Sequence, residues 1–376
     1  MKRIDKKTSH LTQGLLLCLL GLISIGLIIQ YSASYPIGIE RFQDGFYYLR
    51  KQLLFLFVGI LFMLISVKIP YRFWAKLSMP LLFLAGILLV LVFIPSTGVS
   101  AGGARRWLEA GGIRFQPSEL AKLALVLFLA TSMAKKRKKM QFFSIGVLPH
   151  FLIPGGLLVL ILIQPDFGTF FTMGVLIVLM LFIGGARFQH LILIGLISLP
   201  FLYHLIAGVD YRRKRFLAFL DPWADSKDSG FQIIQSQIAF HKGGIMGVGL
   251  GEGQQKMLFV PDVHTDFIFS VVGEELGFIG VVILLLLFLI FTFIGFKIAM
   301  KAHRLGAYFG CYLAAGITLM VSVPAFVNMA VVLGILPTKG MVLPFLSYGG
   351  SALIILLFAL GILLHLSRGK YQESFS

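Results

Sequence analysis

Runs of about twenty apolar residues recur along the whole chain, and each is long enough to cross the hydrocarbon core of a bilayer as an α-helix. Ten such runs stand out, at 12–33, 50–67, 72–94, 117–134, 145–163, 168–185, 188–207, 266–296, 305–335 and 341–366. Only 13% of the 376 residues are charged and 58% are hydrophobic, with a mean hydropathy of +0.92. Soluble domains carry roughly 25% charged residues, so the chain reads as an all-α, polytopic membrane protein forming one integral membrane domain. The run at 266–296 is long for one crossing, which implies tilt or an extension beyond the membrane.

Lys and Arg in short loops set the orientation. Lys2, Arg3, Lys6 and Lys7 precede the first run, Lys68, Arg72 and Lys76 surround the second loop, and Lys135–Lys139 is almost wholly basic. Arg187, Lys297, Lys301, Arg304, Arg368 and Lys370 complete a set that falls on one side if both termini are cytoplasmic. The N-terminal charge pattern is that of a signal peptide, but the apolar run is too long, and it reads as a retained first helix. Cys18 and Cys311 both fall in apolar runs, which makes a disulfide or metal framework improbable. The net charge of +17 points to anionic lipids or anionic substrates, not nucleic acid, because the basic residues sit in short inter-span loops.

Two outer segments break the charge rule. The 95–116 loop carries Arg105, Arg106 and Arg114, and the large extracytoplasmic loop at 208–265 carries Arg212–Arg215, Lys227, Lys242 and Lys256. Long loops escape the rule. The short one does not, and an anionic ligand on the outer face would account for its arginines. Within the large loop, FQIIQSQIAF (231–240) has the pattern of a short interfacial helix. The glycine-rich GGIMGVGLGEG (243–253) fits no P-loop or dinucleotide fingerprint and reads as a loop close to backbone or ligand.

Four stretches interrupt the apolar pattern near the outer face. In "RRWLEAGGIRFQPSELAKL" Pro117 is placed for a helix start, and Glu119 and Lys122 at i and i+3 share one face, as a self-neutralising pair or as ligand contacts. "QPDFGT" puts Asp166 in a tight outer hairpin, as a turn former or a site residue. "PDVHTDFIFSVVGEELG" begins with Asp262 and Asp266 and continues to Glu274 and Glu275, for which helix-to-helix pairing is the favoured role. "LPTKGMVLPFLSYGGSALI" has Lys339 at the outer mouth, Ser347 and Ser351 as ligand contacts or as polar ties between helices, and Pro344 and Gly349–Gly350 breaking the helix.

Together, "RRWL…QPSELAKL", "QPDFGT", "HTDFIFSVVGEELG" and "LPTKG…SYGGS" resemble the SEDS family of bacterial polytopic proteins, in the right order and over nearly the whole chain. "PTKG" and "VGEELG" resemble its division-type branch (FtsW, SpoVE) more than elongation-type RodA. The resemblance implies a peptidoglycan glycosyltransferase that polymerises lipid II into glycan strands at the outer face of the cytoplasmic membrane, at the division septum. It also implies a class B penicillin-binding protein as partner. The family's essential aspartate matches Asp266 through "HTDF", and its polar cavity residues match Glu119 and Lys122. Asp262 stands where many members have Glu, and the charge is kept.

The chemistry of such a reaction suits these residues. An attacking sugar hydroxyl must lose a proton, and a carboxylate such as Asp266 serves as general base. The departing diphosphate needs positive charge from Arg105, Arg106, Lys122 or Lys339, or from a divalent cation, magnesium or manganese, held by carboxylates; no organic cofactor is implied. Two rivals remain at this stage. A lipid II flippase needs polar groups continuing toward the cytoplasmic side, and a non-catalytic division scaffold needs no buried base.

Overall fold

The computed structural model describes residues 2–101, 104–110, 113–226, 230–254, 265–337 and 340–369. The expected spans form as α1 (Lys2–Phe42), α2 (Tyr47–Lys68), α3 (Tyr71–Leu91), α4 (Pro117–Lys135), α5 (Leu148–Ile163), α6 (Phe167–Ile183) and α7 (Phe188–Ala207). After them come α8 (Asp210–Leu220), α9 (Phe231–Gly243), α10 (Ile268–Glu275), α11 (Gly277–Arg304), α12 (Tyr308–Val332) and α13 (Gly350–Ser367). Among the described residues nine helices are long and apolar enough to cross a membrane, and α6 is a shorter apolar tenth. Ten crossings bring both ends to one side.

The bundle is built around α4, α12 and α13, whose apolar windows are 78–83% buried, whereas only 6% of the α7 window is covered by protein. Membrane helices gain little from hydrophobic burial against one another, so close backbone approach through small residues matters. A Cβ on Gly361 of α13 would stand 1.9 Å from the Ser66 hydroxyl of α2, and one on Gly295 of α11 would stand 2.1 Å from Thr318 of α12. The Ser66 hydroxyl donates to the Phe358 carbonyl at 2.8 Å, adding a polar tie at the α2–α13 contact.

Three expectations are corrected. The run at 266–296 is not one tilted helix: it breaks between α10 and α11 at Gly277, which has φ +66. The groups freed by the break are paired by the glycine-rich segment beside it. The Phe278 and Ile279 amides donate to the Gly244 and Ile245 carbonyls, and the Val248 and Gly249 amides donate to the Glu274 and Glu275 carbonyls, all within 3.2 Å. Helix ends need such partners. The glycines let the strands of backbone meet, since a Cβ on Gly247 would lie 2.2 Å from the Glu275 carbonyl oxygen.

The last span starts at Gly350, not near 341, because Pro344 and the positive φ of Phe345 (69°) take the segment before it out of helical geometry. The 95–116 loop is also not featureless. It forms a three-stranded antiparallel sheet of β1 (Gly98–Ala101), β2 (Ala104–Ala110) and β3 (Ile113–Phe115), a small addition to an otherwise helical protein. The expected short helix at 231–240 is present as α9, whose Ser236 hydroxyl donates to the Val332 carbonyl of α12 at 2.8 Å.

Assigning helix ends to sides by alternation sorts the charges. Of the 33 Lys and Arg, 18 fall on the cytoplasmic side, where only Asp5 and Glu373 are acidic. The remaining 15 basic and 14 acidic residues fall on the outer side. Arg41, Arg50 and Lys51 in the α1–α2 turn are outer cations that the loop reading passes over, and Arg50 pairs with Asp44 at 3.2 Å.

Candidate active site

Asp266 stands one residue before the N-cap of α10 and is half-buried. Three neighbours fix its position. Asn328, 1% exposed on α12, donates its amide to the Asp266 carbonyl at 2.8 Å and to the Met341 carbonyl at 2.6 Å. The Ser347 hydroxyl donates to the Thr265 carbonyl and accepts from the Leu343 amide at 2.7 Å. Gly340 closes on the carboxylate itself, since a Cβ there would be 2.8 Å from Asp266 Oδ2. A side chain at 340 would thus press on the acid, which accounts for the glycine. The Asn328 bond to the Met341 carbonyl, and the packing of Met341 against Gly168 of α6, where a Cβ would meet Met341 Cγ at 2.9 Å, anchor the surroundings of the acid to two spans.

Ser347 also lines a partly open cleft with Glu119, Lys122, Met320, Pro324 and Gly349. Proline has no amide hydrogen to give the carbonyl four residues earlier, so Pro324 leaves the Met320 carbonyl without its helical donor where both residues line the cleft. Lys122 Nζ pairs with Glu119 Oε2 at 2.8 Å, with both side chains largely buried. Lys122 also borders a second, smaller apolar cavity with Thr172, Met173 and Val323, so its side chain lies between two spaces.

The other expected residues have more structural surroundings. Strand alternation sends Arg105 and Arg106 of β2 to opposite faces: Arg105 is exposed, while Arg106 turns inward and donates to the Gln164 and Pro165 carbonyls. Arg106 lies 3.9 Å from Asp166, and Asp166 caps α6 by accepting from the Thr169 amide at 3.1 Å. Arg106 and Asp166 therefore hold the α5–α6 turn, and the two arginines have different surroundings. Ser351 accepts from the Gln116 amide at 3.2 Å, which ties the start of α13 to the start of α4. Glu275 accepts from Ser32 at 2.6 Å and Glu274 from the Gln254 amide at 3.0 Å, so the deep glutamates hold the α10–α11 break in place. Lys339, Asp262 and His264 lie outside the described residues.

Among the described residues no three His, Cys, Asp or Glu side chains converge into a metal site. Magnesium is commonly bound through one or two carboxylates plus substrate phosphates, a pattern that Asp266 alone can serve. Asn328 was not singled out from sequence, although its amide inside the apolar run at 305–335 was the available signal.

A family model described as cell cycle protein, covering FtsW, RodA and SpoVE, matches residues 13–372. The chain belongs to the FtsW/RodA/SpoVE family. Within that family it is 48% identical over 353 residues to a protein named probable peptidoglycan glycosyltransferase FtsW from Geobacter sulfurreducens, covering 94% of each chain. It is 41% identical over 363 residues to stage V sporulation protein E of Bacillus subtilis, covering 96% of this chain and 98% of that one. Its fold matches a chain in a solved peptidoglycan synthase complex described as coordinating polymerization and crosslinking, with TM-score 0.77, 30% identity and 96% and 98% coverage. Thermus thermophilus RodA matches at TM-score 0.70 with 28% identity, over 96% of this chain and 97% of that one. This member of the FtsW/RodA/SpoVE family therefore holds Asp266, just before α10, and the Glu119–Lys122 cleft in one multi-pass membrane protein.

Proposed function

We propose that this protein is a peptidoglycan glycosyltransferase that polymerises lipid II at the outer face of the bacterial cytoplasmic membrane during septal wall synthesis. One observation carries the reading: Ser347 both lines the Glu119–Lys122 cleft and bonds the residue next to Asp266, so acid and cleft form one site. The acceptor hydroxyl oxygen bonds to the anomeric carbon of the donor as the bond from that carbon to the diphosphate breaks, with inversion. The hydroxyl proton passes to the Asp266 carboxylate, and the diphosphate leaves with the electron pair. Lys122 offers positive charge to that diphosphate across the cleft, with Glu119 holding the ammonium in place. Asp266 together with substrate phosphates would hold a magnesium or manganese ion, which would supply further charge neutralisation to the diphosphate.

The FtsW-named relatives support the division role, and the synthase complex supports a partner that crosslinks the nascent glycan strand, a class B penicillin-binding protein. The flippase reading has less support. The buried carboxylates of Glu119, Asp166, Glu274 and Glu275 all belong to the outer half of the bundle. Purified protein given lipid II should yield glycan polymer, and Asp266→Asn, nearly isosteric, should abolish it while leaving the unfolding temperature within a few degrees. A folded Asp266→Asn protein that polymerises at the parental rate would remove the general base from this scheme, and translocation without polymer would favour the flippase.

A further inference from the structure

Helix α8 is the outer segment whose composition the polymerisation scheme leaves unused. Its sequence, DYRRKRFLAFL, follows the end of α7 after only Gly208 and Val209. The exemption of long loops from the charge rule does not extend to cations this close to a membrane helix, so the run Arg212–Arg215 stands where the rule disfavours positive charge. Arg213, Phe216, Leu217 and Leu220, at i, i+3, i+4 and i+7, share one face and are all exposed, as is Lys214 beside them. Trp223, in the turn after α8, is 68% exposed. Asp210, 3.2 Å from Arg213, is the ion-pair partner that the helix itself supplies. An exposed apolar stripe with cations at one end is the pattern of a helix lying in the membrane interface.

The position of α8 relates this face to the site. The Arg212 guanidinium sits over the Phe167 ring at 5.5 Å and donates to the Leu205 carbonyl at 3.1 Å, which ties α8 to the outer ends of α6 and α7. The next residue after Phe167 is Gly168, which packs on Gly340 and Met341, and Gly340 closes on Asp266. Through Arg212, Phe167, Gly168 and Gly340, the helix is therefore connected by packing to the surroundings of the acid. Its chemistry is two-part: an apolar stripe for a hydrocarbon chain and guanidinium and ammonium groups for phosphate.

We propose that the exposed face of α8 is a landing site for the polyprenyl diphosphate part of a lipid-linked substrate, held there in the outer leaflet before it enters the cleft. This rests on the polymerase reading for the identity of the substrate. Charge complementarity selects the diphosphate over a phospholipid, because a diphosphate offers two adjacent phosphates to the neighbouring Arg213 and Lys214. Both side chains are exposed, so Arg213→Gln with Lys214→Gln should leave folding intact.

The test measures binding of undecaprenyl diphosphate to full-length protein in phosphatidylcholine nanodiscs, for the parent, the double Gln variant, an Arg213→Lys control and Asp266→Asn. Loss of two surface cations should weaken binding roughly tenfold or more, with Arg213→Lys and Asp266→Asn close to the parent. Undecaprenyl monophosphate and phosphatidylglycerol should compete poorly. In turnover with lipid II, the double variant should raise KM and leave kcat unchanged. Parental affinity in the double variant overturns the proposal, and so does equal competition by phosphatidylglycerol, which would make α8 a general anionic-lipid anchor. A parent that binds the diphosphate through α8 but makes no polymer would instead sink the polymerase reading and leave this one standing.

Discussion

Removing the Arg105 side chain takes away an exposed guanidinium, whereas removing that of Arg106 strips the Gln164 and Pro165 carbonyls and the Asp166 cap of their partner. Arg106→Ala should therefore lower stability by about 1–3 kcal/mol, read as a fall in unfolding temperature in detergent, and Arg105→Ala should leave it unchanged. Equal losses from the two would show that the strand does not separate their roles. Asn328→Leu keeps the size of the side chain and deletes both donors that hold the Asp266 and Met341 carbonyls. It should cut kcat for polymerisation by at least tenfold, the factor carried by about 1.4 kcal/mol, and a variant with parental kcat would make Asn328 a packing residue only. Exchanging Glu119 and Lys122 gives a third contrast. If the pair serves only the helix face, Glu119→Lys with Lys122→Glu restores what each single change loses. If Lys122 faces the diphosphate, the folded exchange protein stays inactive, which is the outcome expected here.

At the scale of elements, the spans were legible because a twenty-residue apolar run has few other uses, and the sequence motifs singled out Asp266, just before α10, and the Glu119–Lys122 pair, in the first turns of α4. The break at Gly277 was not legible, because its cause lies in another segment. A Cβ on Gly277 would stand 2.3 Å from the Gly247 nitrogen, a contact between residues thirty positions apart that periodicity cannot register. Gly277→Ala meets both that clash and a positive φ, which costs about 1–3 kcal/mol for a residue with a side chain. The expected result is a marked drop in unfolding temperature, together with faster proteolysis in the glycine-rich segment at 243–254. An unchanged melting curve would mean that the break is not fixed by this approach. The small sheet did have a signal. Gly102–Gly103 and Gly111–Gly112 stand between strand ends that pair as Ala101 with Ala104 and Ala110 with Ile113, and such dipeptides mark hairpins.

At the scale of the molecule, the net charge of +17 belongs almost entirely to the cytoplasmic side, where 18 basic residues face two acidic ones. The outer side, with 15 against 14, is close to neutral. Drawing an anion from a distance takes a broad field of one sign, and around an exposed charge in physiological salt that field fades over roughly 8 Å. The outer surface consequently exerts little pull on anything dissolved in the medium beyond it. For an enzyme of bulk solutes that would be a slow arrangement. For one whose donor is tethered by a hydrocarbon tail it costs nothing, because encounter is a two-dimensional search within a leaflet. The concentration that matters is molecules per area of membrane, and a cation is needed only over the last few ångströms.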